Sequence, residues 1–568
     1  MAPQMRTKEE TMDGLTARNV ATSFEYTPIP AFQLLDEAVR RFGDRPAIDF
    51  MGKRWNWAEI GRLTNRAAAG LQKLGVTKGV HVGLCLPNTP YSVIMYYAIL
   101  KAGGTVVNFN PLYTLRELEN QIVDSGTSIL VSLDVAMIHG KIAQLAAKNI
   151  LKRIIVCSMT AVLPVFKSLA YRLFKAKDLA TVPDQSPYLR FERLTAGAET
   201  PAPVSIDPER DIAVMQFTGG TTGLPKAAML SHRNITVNVK QLLESGSPLV
   251  PGQERIMGIL PFFHVFAMTG VMNLGIAIGA ELVLLPRMDL KQLMATILKR
   301  RPTVLPGVPT LYTAVSGAAE LAHKQLSFIK YCVSGGAPIA EEAALHFEQV
   351  SGCKIVEGYG LSETSPIVSI NPPHAVKLGS VGLPMPGSSV EIRDRDNPEA
   401  LLPQGERGEI CVRGPQVMLG YYNRPEETAA NFVDGAFRTG DIGYLDADGY
   451  LFIVDRIKDL ILCGGYNVYP RVIEEAAYQH PAVQDAIAIG VPDAYRGQAA
   501  KLFVALRPNA KATPHEIKDF LVPFLNKIEM PREVEIRDSL PKTMVGKLSK
   551  KELVAEELAK AAQHTPHA

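Results

Sequence analysis

"FTGGTTGLPKAAMLSH", Phe217 to His232, strings Thr218, Gly219, Gly220, Thr221, Thr222 and Gly223 together and follows them with Leu224, Pro225 and Lys226. Glycines let backbone N–H groups approach a ligand closely, and consecutive N–H groups with threonine hydroxyls form a cradle for an anion. Lys226 adds a positive charge, so the run points to a nucleotide phosphate. An ordinary surface loop can have the same composition, and the run alone does not separate the two. A Walker A loop sets its last glycine directly before Lys-Ser or Lys-Thr. Here Leu224-Pro225 precedes the lysine and Ala227 follows it, so this is not a P-loop.

Immediately upstream, "DIAVMQF" (211–217) reads as a strand that delivers the run at its C-terminal end, where α/β sheets bind ligands. Further back, "GVHVGLCLP" (79–87) reads as a buried strand and "YSVIMYYAILKAG" as the helix after it. "TLRELENQIVDSG" opens with Thr114 three residues before Glu117, a capping box, and "SILVSL" follows as a strand. Repeated strand–helix alternation predicts an α/β fold with a largely parallel sheet. "AGAETPAPVSIDPER" (196–210) reads as a linker. After about Gly440 the pattern changes. "YLFIVD", "LILCGGYNVYP", "VQDAIAIGVP" and "AKLFVALRP" read as strands, with amphipathic helices at "RVIEEAAYQH" and "PHEIKDFLVPFL". The expected organisation is a tail over 1–29, a large domain of mixed α/β subdomains over 30–455 and a smaller, mobile α+β domain over 456–568.

Composition bounds the function. Among 568 residues, 47% are hydrophobic and 21% charged, as in a globular protein. A net charge of +3 and the lack of basic runs interleaved with aromatics argue against nucleic acid as a partner. The six cysteines are scattered without a Cys-x-x-Cys pair, which fits a reducing cytoplasm rather than a disulfide framework or zinc site. The polar N-terminus carries no apolar h-region, so no secretory signal is expected. "VFAMTGVMNLGIAIGA" (265–280) is uncharged but short of the ~20 residues a spanning helix needs. A buried helix followed by a buried strand is predicted there.

Further stretches stand out in order: "PFFHVF" (261–266), "SGGAP" (334–338), "EGYGLSET" (357–364), "FRTGDIG" (437–443), "DRIKDLILCGGYNVYP" (455–470) and "PKTMVGKLSK" (541–550). Together with the opening run they resemble the adenylate-forming superfamily, specifically acyl-CoA synthetases of the fatty-acid type, over roughly residues 30 to 555. The resemblance implies a reaction in two steps. A carboxylate attacks the α-phosphorus of ATP to give an acyl-adenylate and pyrophosphate, and the thiol of CoA then displaces AMP. ATP, Mg2+ and CoA are the implied cofactor and co-substrates.

The resemblance also assigns residues. Thr218 to Gly223 and Lys226 would hold the ATP phosphates. Gly336 and Ala337 would border the adenine, Tyr359 would stack on it, and Gly360 belongs to the same motif. Ser362 would donate to phosphate and Glu363 would bind Mg2+, a hard cation wanting oxygen ligands. Asp441 would accept from the ribose hydroxyls, with Arg456 also on the ribose, and His264 would stand beside the acyl carboxylate. Lys547 would bridge that carboxylate and the α-phosphate. The small domain would rotate about a hinge at Lys458, and Gly464, Gly465 and Tyr466 would line the CoA arm. Ala227 stands where the family usually has glycine, Ser362 where threonine is commoner and Lys550 where arginine is usual.

From Pro261 to Ala280 there is no Asp or Glu to pair an α-ammonium and no Lys or Arg to pair a second carboxylate. The apolar lining therefore favours a medium- or long-chain fatty acid over an aromatic acid (coumarate- or benzoate-like) or a dicarboxylate. "PVFKSLAYRLFKAK" (164–177) places Val165, Phe166, Leu169, Ala170, Leu173 and Phe174 on one helical face. This basic amphipathic pattern suits an anionic membrane surface, whereas the plainer expectation is a helix packed on its own domain. The expected setting is cytoplasmic, with peripheral association at the inner face of the membrane and a homodimer both allowed. A membrane fatty-acid transport protein and a non-catalytic nucleotide sensor are the rival readings. The lack of a spanning helix opposes the first; Glu363 and Lys547 oppose the second.

Overall fold

The computed structural model describes residues 24–197, 200–218, 225–463, 466–493, 496–543 and 548–563. Gly219, Gly220, Thr221, Thr222, Gly223, Gly464, Gly465 and Lys547 lie outside the described residues.

Strand–helix alternation produces two large sheets, as the sequence predicts. One has eight strands, with Gly420–Tyr421, Lys226–Ser231, Ile212–Thr218, Thr105–Asn108, His81–Leu84, Ile129–Leu133, Arg153–Cys157 and Tyr188–Arg190 side by side. It is parallel from Ile212–Thr218 through Tyr188–Arg190 and antiparallel where Lys226–Ser231 folds back. The other has nine strands, running from Leu383–Pro384 through Ile355–Gly360, Tyr331–Gly335 and Arg255–Gly258 to Lys53–Asn56. Val82, Val106 and Val214 of the first sheet share one contiguous apolar core with Ile256, Leu282 and Leu305 of the second. The helix Pro90–Lys101 is apolar on all sides, and every residue from Pro90 to Leu100 is buried in or against that core. The capping box forms as read: Thr114 N–H donates to Glu117 Oε2 at 2.8 Å, and Glu117 N–H to Thr114 Oγ1 at 3.3 Å.

The uncharged segment after His264 is a buried helix leading to the buried strand Glu281–Leu284, and its middle turn, Met268–Asn273, is a π-helix. Single π turns cluster at functional sites. No helix among the described residues is long and apolar enough to cross a membrane.

Two readings change. The strand Leu451–Arg456, grouped from sequence with the C-terminal pattern, pairs instead with Ala436–Leu445 in a five-stranded antiparallel sheet with Ser389–Arg393, Gly408–Arg413 and Phe432–Val433. Short alternating strands reveal their partners only through the turns between them, and the turn at Asp446–Tyr450 closes this hairpin: Asp446 N–H donates to Tyr450 O at 3.0 Å. The fourth sheet then holds Tyr466–Val468, Ile461–Cys463, Gly497–Leu506, Val483–Asp493 and Glu533–Arg537. Second, Val165–Phe174 is a helix as its pattern predicts, but it is not packed on its domain through its apolar face. Five of its apolar side chains are exposed, because its polar arc supplies the contacts that hold it in place.

Candidate active site

The strand Ile212–Thr218 and its antiparallel neighbour Lys226–Ser231 place Thr218 opposite Lys226, so the Gly/Thr run is the connection between them. The Lys226 ammonium lies over the Tyr421 ring, 5.2 Å from its centroid. Tyr421 in turn donates its hydroxyl to Glu363 Oε1 at 2.8 Å. Glu363 sits in the short 3-10 turn Ser362–Thr364 that follows the strand Ile355–Gly360. Its carboxyl is buried, which pushes its pKa up, while the Tyr421 hydrogen bond pulls the other way. Thr218, Lys226 and Glu363 are thus brought together, and Ser362 stands beside Glu363. A single buried carboxylate of this kind could serve Mg2+, which takes one or two carboxylates and completes its shell with phosphates and water. No cluster of three or more metal-ligating side chains is present among the described residues.

A second polar cluster is built from two sheets. Asp441 and Arg456 face each other as a cross-strand pair in the five-stranded sheet, with Arg456 Nε 3.2 Å from Asp441 Oδ1. Tyr359, from the nine-stranded sheet, donates its hydroxyl to Asp441 Oδ2 at 2.5 Å. Burial raises the Asp441 pKa, and the Arg456 guanidinium opposes that shift. The phenol of Tyr359 is pushed well up, first by burial and then by the Asp441 charge. Gly336 has φ +83°, a left-handed conformation that favours glycine, and precedes half-buried Ala337 at the exit of the strand Tyr331–Gly335. Gly360 has a packing reason: a Cβ there would lie 1.9 Å from the Pro366 carbonyl oxygen.

His264 caps the helix Val265–Ala267, its Nδ1 accepting the Phe266 N–H at 3.3 Å. Two contacts tie this segment to the nucleotide elements. Gln216, two residues before Thr218, donates from Nε2 to the Phe263 carbonyl at 2.9 Å. A Cβ on Gly335 would lie 3.3 Å from the Phe266 ring, so strand and ring pack closely. Behind Phe263, Leu84, Leu86, Tyr96, Asn108, Phe262 and Met272 line a narrow crevice of about 10 Å³, the room of a single water.

The C-terminal elements begin just past Arg456. Lys458 is exposed in the one-turn 3-10 helix Ile457–Asp459, between the strands Leu451–Arg456 and Ile461–Cys463. Tyr466 is exposed, and Asn467 Oδ1 accepts from Arg395 at 3.1 Å. Lys550 pairs with Glu474 at 3.2 Å, so the lysine at this position has a buried acidic partner. Lys542 and Leu548, which flank the segment carrying Lys547, pair with each other.

Sequence reasoning missed Tyr421, Gln216 and Glu357. Glu357 lies two residues before Tyr359, and burial pushes its pKa up to about 7, against the opposing charge of Arg471 in the helix Pro470–Tyr478. Glu357 keeps its proton in the folded chain to about pH 7, whereas an unfolded glutamate loses it near 4.5. The folded chain therefore binds more protons between those values, and stability falls as pH rises through that window. Glu357→Gln is expected to raise the urea midpoint at pH above about 7, by a stability gain on the order of 3 kcal/mol, and to leave it unchanged near pH 4.5. Equal gains at both ends of the window would show that Glu357 does not carry this proton.

The lysine–tyrosine–glutamate line and the tyrosine–aspartate–arginine cluster stand on and beside the sheets of an α/β fold. A model of the AMP-binding enzyme family matches residues 35–422, and one of the AMP-binding enzyme C-terminal domain matches 472–547. The chain belongs to the AMP-binding enzyme family. It is 42% identical over 537 residues to a long-chain-fatty-acid–CoA ligase of Bacillus subtilis, covering 92% of this chain and 94% of that protein. It is 30% identical over 543 residues to the 4-coumarate–CoA ligase CCL1 of Humulus lupulus, covering 93% and 94% respectively. Among solved structures, ATP-bound MatB from Rhodopseudomonas palustris superimposes with a TM-score of 0.81 at 28% identity, over 94% of this chain and all of that one.

Proposed function

We propose that the chain is an AMP-forming acyl-CoA synthetase that activates a medium- or long-chain fatty acid. The observation that carries the reading is the joined line Lys226–Tyr421–Glu363 beside the Gly/Thr run. Lys226 and the run neutralise the phosphates as pyrophosphate leaves, the kind of charge stabilisation on which phosphoryl-centred chemistry depends. Glu363 would hold Mg2+, which would supply positive charge to offset that developing on the leaving phosphates. Tyr421 fixes the Glu363 carboxylate, Asp441 and Arg456 take the ribose, Tyr359 and the Gly336–Ala337 turn take the adenine, and His264 orients the acyl carboxylate. Lys547 bridges the carboxylate and the α-phosphate for the first step. Rotation about Lys458 then brings Gly464, Gly465 and Tyr466 to the CoA arm.

Two observations support a fatty acid over an aromatic one: greater identity to the fatty-acid ligase than to the coumarate ligase, and the uncharged stretch from Pro261 to Ala280. Each methylene buried contributes roughly 0.8 kcal/mol, about fourfold in affinity, so going from eight to twelve carbons raises kcat/KM by up to about two hundredfold. The rise stops where the chain outgrows the protein. The check is kcat/KM from butyrate to palmitate beside benzoate and coumarate, at controlled monomer concentrations. A flat aliphatic series with an aromatic preference overturns the fatty-acid assignment and leaves the adenylation chemistry in place.

A further inference from the structure

The helix Val165–Phe174 is mounted inside out. At 100° per residue, Val165, Leu169, Leu173, Phe166, Ala170 and Phe174 fall on one arc, with Lys167, Tyr171, Ser168 and Arg172 on the other. In a helix covering a core, the apolar arc faces inward. Here Lys167 Nζ donates to the Met51 carbonyl at 2.8 Å, Arg172 Nη2 donates to Thr160 Oγ1 at 3.1 Å, and Tyr171 packs on the main core. The polar arc therefore faces the protein, and the apolar arc faces out. Val165, Phe166 and Phe174 are 83%, 89% and 85% exposed, with Leu169 and Leu173 also exposed.

Large apolar side chains are rarely grouped on a free surface without a partner. The charge around this arc selects the partner. From Pro164 to Lys177 the chain carries Lys167, Arg172, Lys175 and Lys177 and no acidic residue, with Asp178 following. On the protein-facing side, Tyr171 has both Asp134 and Asp178 and the cation Arg287 near it, so the basic excess lies in the helix and the residues just after it. Cations flanking an exposed apolar arc match a bilayer surface with anionic headgroups, the arc entering the headgroup–acyl boundary and the lysines staying at headgroup level. A second copy of the chain fits less well. The 10-residue helix is about 15 Å long, too short to supply alone the roughly 800 Å² per partner of a stable dimer, and two such faces would oppose like charges.

We propose that Val165–Phe174 docks the protein on an anionic lipid surface. The proposal rests on the fatty-acid reading for its purpose, since that substrate partitions into bilayers, but its evidence is the helix itself.

The test is co-sedimentation with vesicles of phosphatidylcholine alone and of an equimolar mixture with phosphatidylglycerol, without ATP or CoA, so membrane binding and ligase chemistry are read separately. Each basic side chain near an anionic surface contributes about 1 kcal/mol, or about fivefold, so the wild type is expected to bind the mixed vesicles at least about tenfold tighter than the neutral ones. The triple variant Phe166→Ser, Leu169→Ser, Phe174→Ser is expected to lose about a hundredfold or more in binding to the mixed vesicles. Lys175→Glu with Lys177→Glu is expected to lose about twenty-five-fold or more on mixed vesicles and little on neutral ones, which tests the charge without touching the apolar arc. Pyrophosphate release with a soluble short-chain acid is expected to stay at the wild-type rate in both variants. Wild-type binding by both variants overturns the proposal. So does a wild-type dimer, seen in sedimentation velocity, that the serine variant breaks, for the face would then be a seam between copies.

Discussion

Alanine in place of Lys547 is expected to lower acyl-adenylate formation about a thousandfold. Conversion of synthetic acyl-adenylate and CoA to the thioester is expected to stay within about tenfold of the wild type. Two anions, the acyl carboxylate and the α-phosphate, meet in the first step, and an ammonium between them offsets their repulsion. At ~4 Å and an effective dielectric of ~20, one such contact is worth about 4 kcal/mol. Made mainly in the transition state, that corresponds to about three powers of ten in rate. The thioester step has no such meeting of anions. Rapid-quench measurement of each half-reaction, with a folded variant confirmed by circular dichroism, reads both numbers. Equal loss in the two steps would place Lys547 in the general structure of the site instead.

Lys458→Pro is expected to produce the reverse pattern: adenylation within about tenfold of wild type and thioester formation reduced by about a hundredfold or more. Lys458 lies in the one-turn 3-10 helix between the five-stranded sheet and the C-terminal one. Proline accepts the φ of a 3-10 residue but fixes it, and it also restricts Ile457 before it. The cost then falls on exchange between two arrangements of the C-terminal elements. The same two half-reaction assays serve here. A variant that makes acyl-CoA at the normal overall rate would move the pivot away from this turn.

Much of the fold was legible because its signals are local. The Thr114–Glu117 box starts a helix from four residues, and the apolar run around Ile212–Thr218 marks a strand wherever it pairs. The site was legible where a motif sits on one element, as with Tyr359, Ser362 and Glu363 around a single strand exit. What escaped depends on contacts between distant segments. Tyr421 reaches Glu363 from 58 residues away, on a strand of only two residues, Gly420–Tyr421. Glu357 looks like a solvated charge in sequence, and only its place inside the nine-stranded sheet, paired with Ser334, shows that it is buried. Amphipathicity in Val165–Phe174 shows that two faces exist but not which one meets the protein. That choice is made by the Met51 carbonyl and the Thr160 hydroxyl, neither adjacent to the helix in sequence.

The central claim is that a fatty acid is activated by attack of its carboxylate on the α-phosphorus of ATP. Palmitate carrying heavy oxygen in its carboxylate tests it directly, with the products of a full turnover in the presence of CoA analysed by mass spectrometry. The carboxylate oxygen that attacks phosphorus stays there when the thiol displaces AMP, so the account predicts one heavy oxygen in AMP and none in pyrophosphate. Formation of ADP with the heavy oxygen in inorganic phosphate would mean attack at the γ-phosphorus and would contradict it.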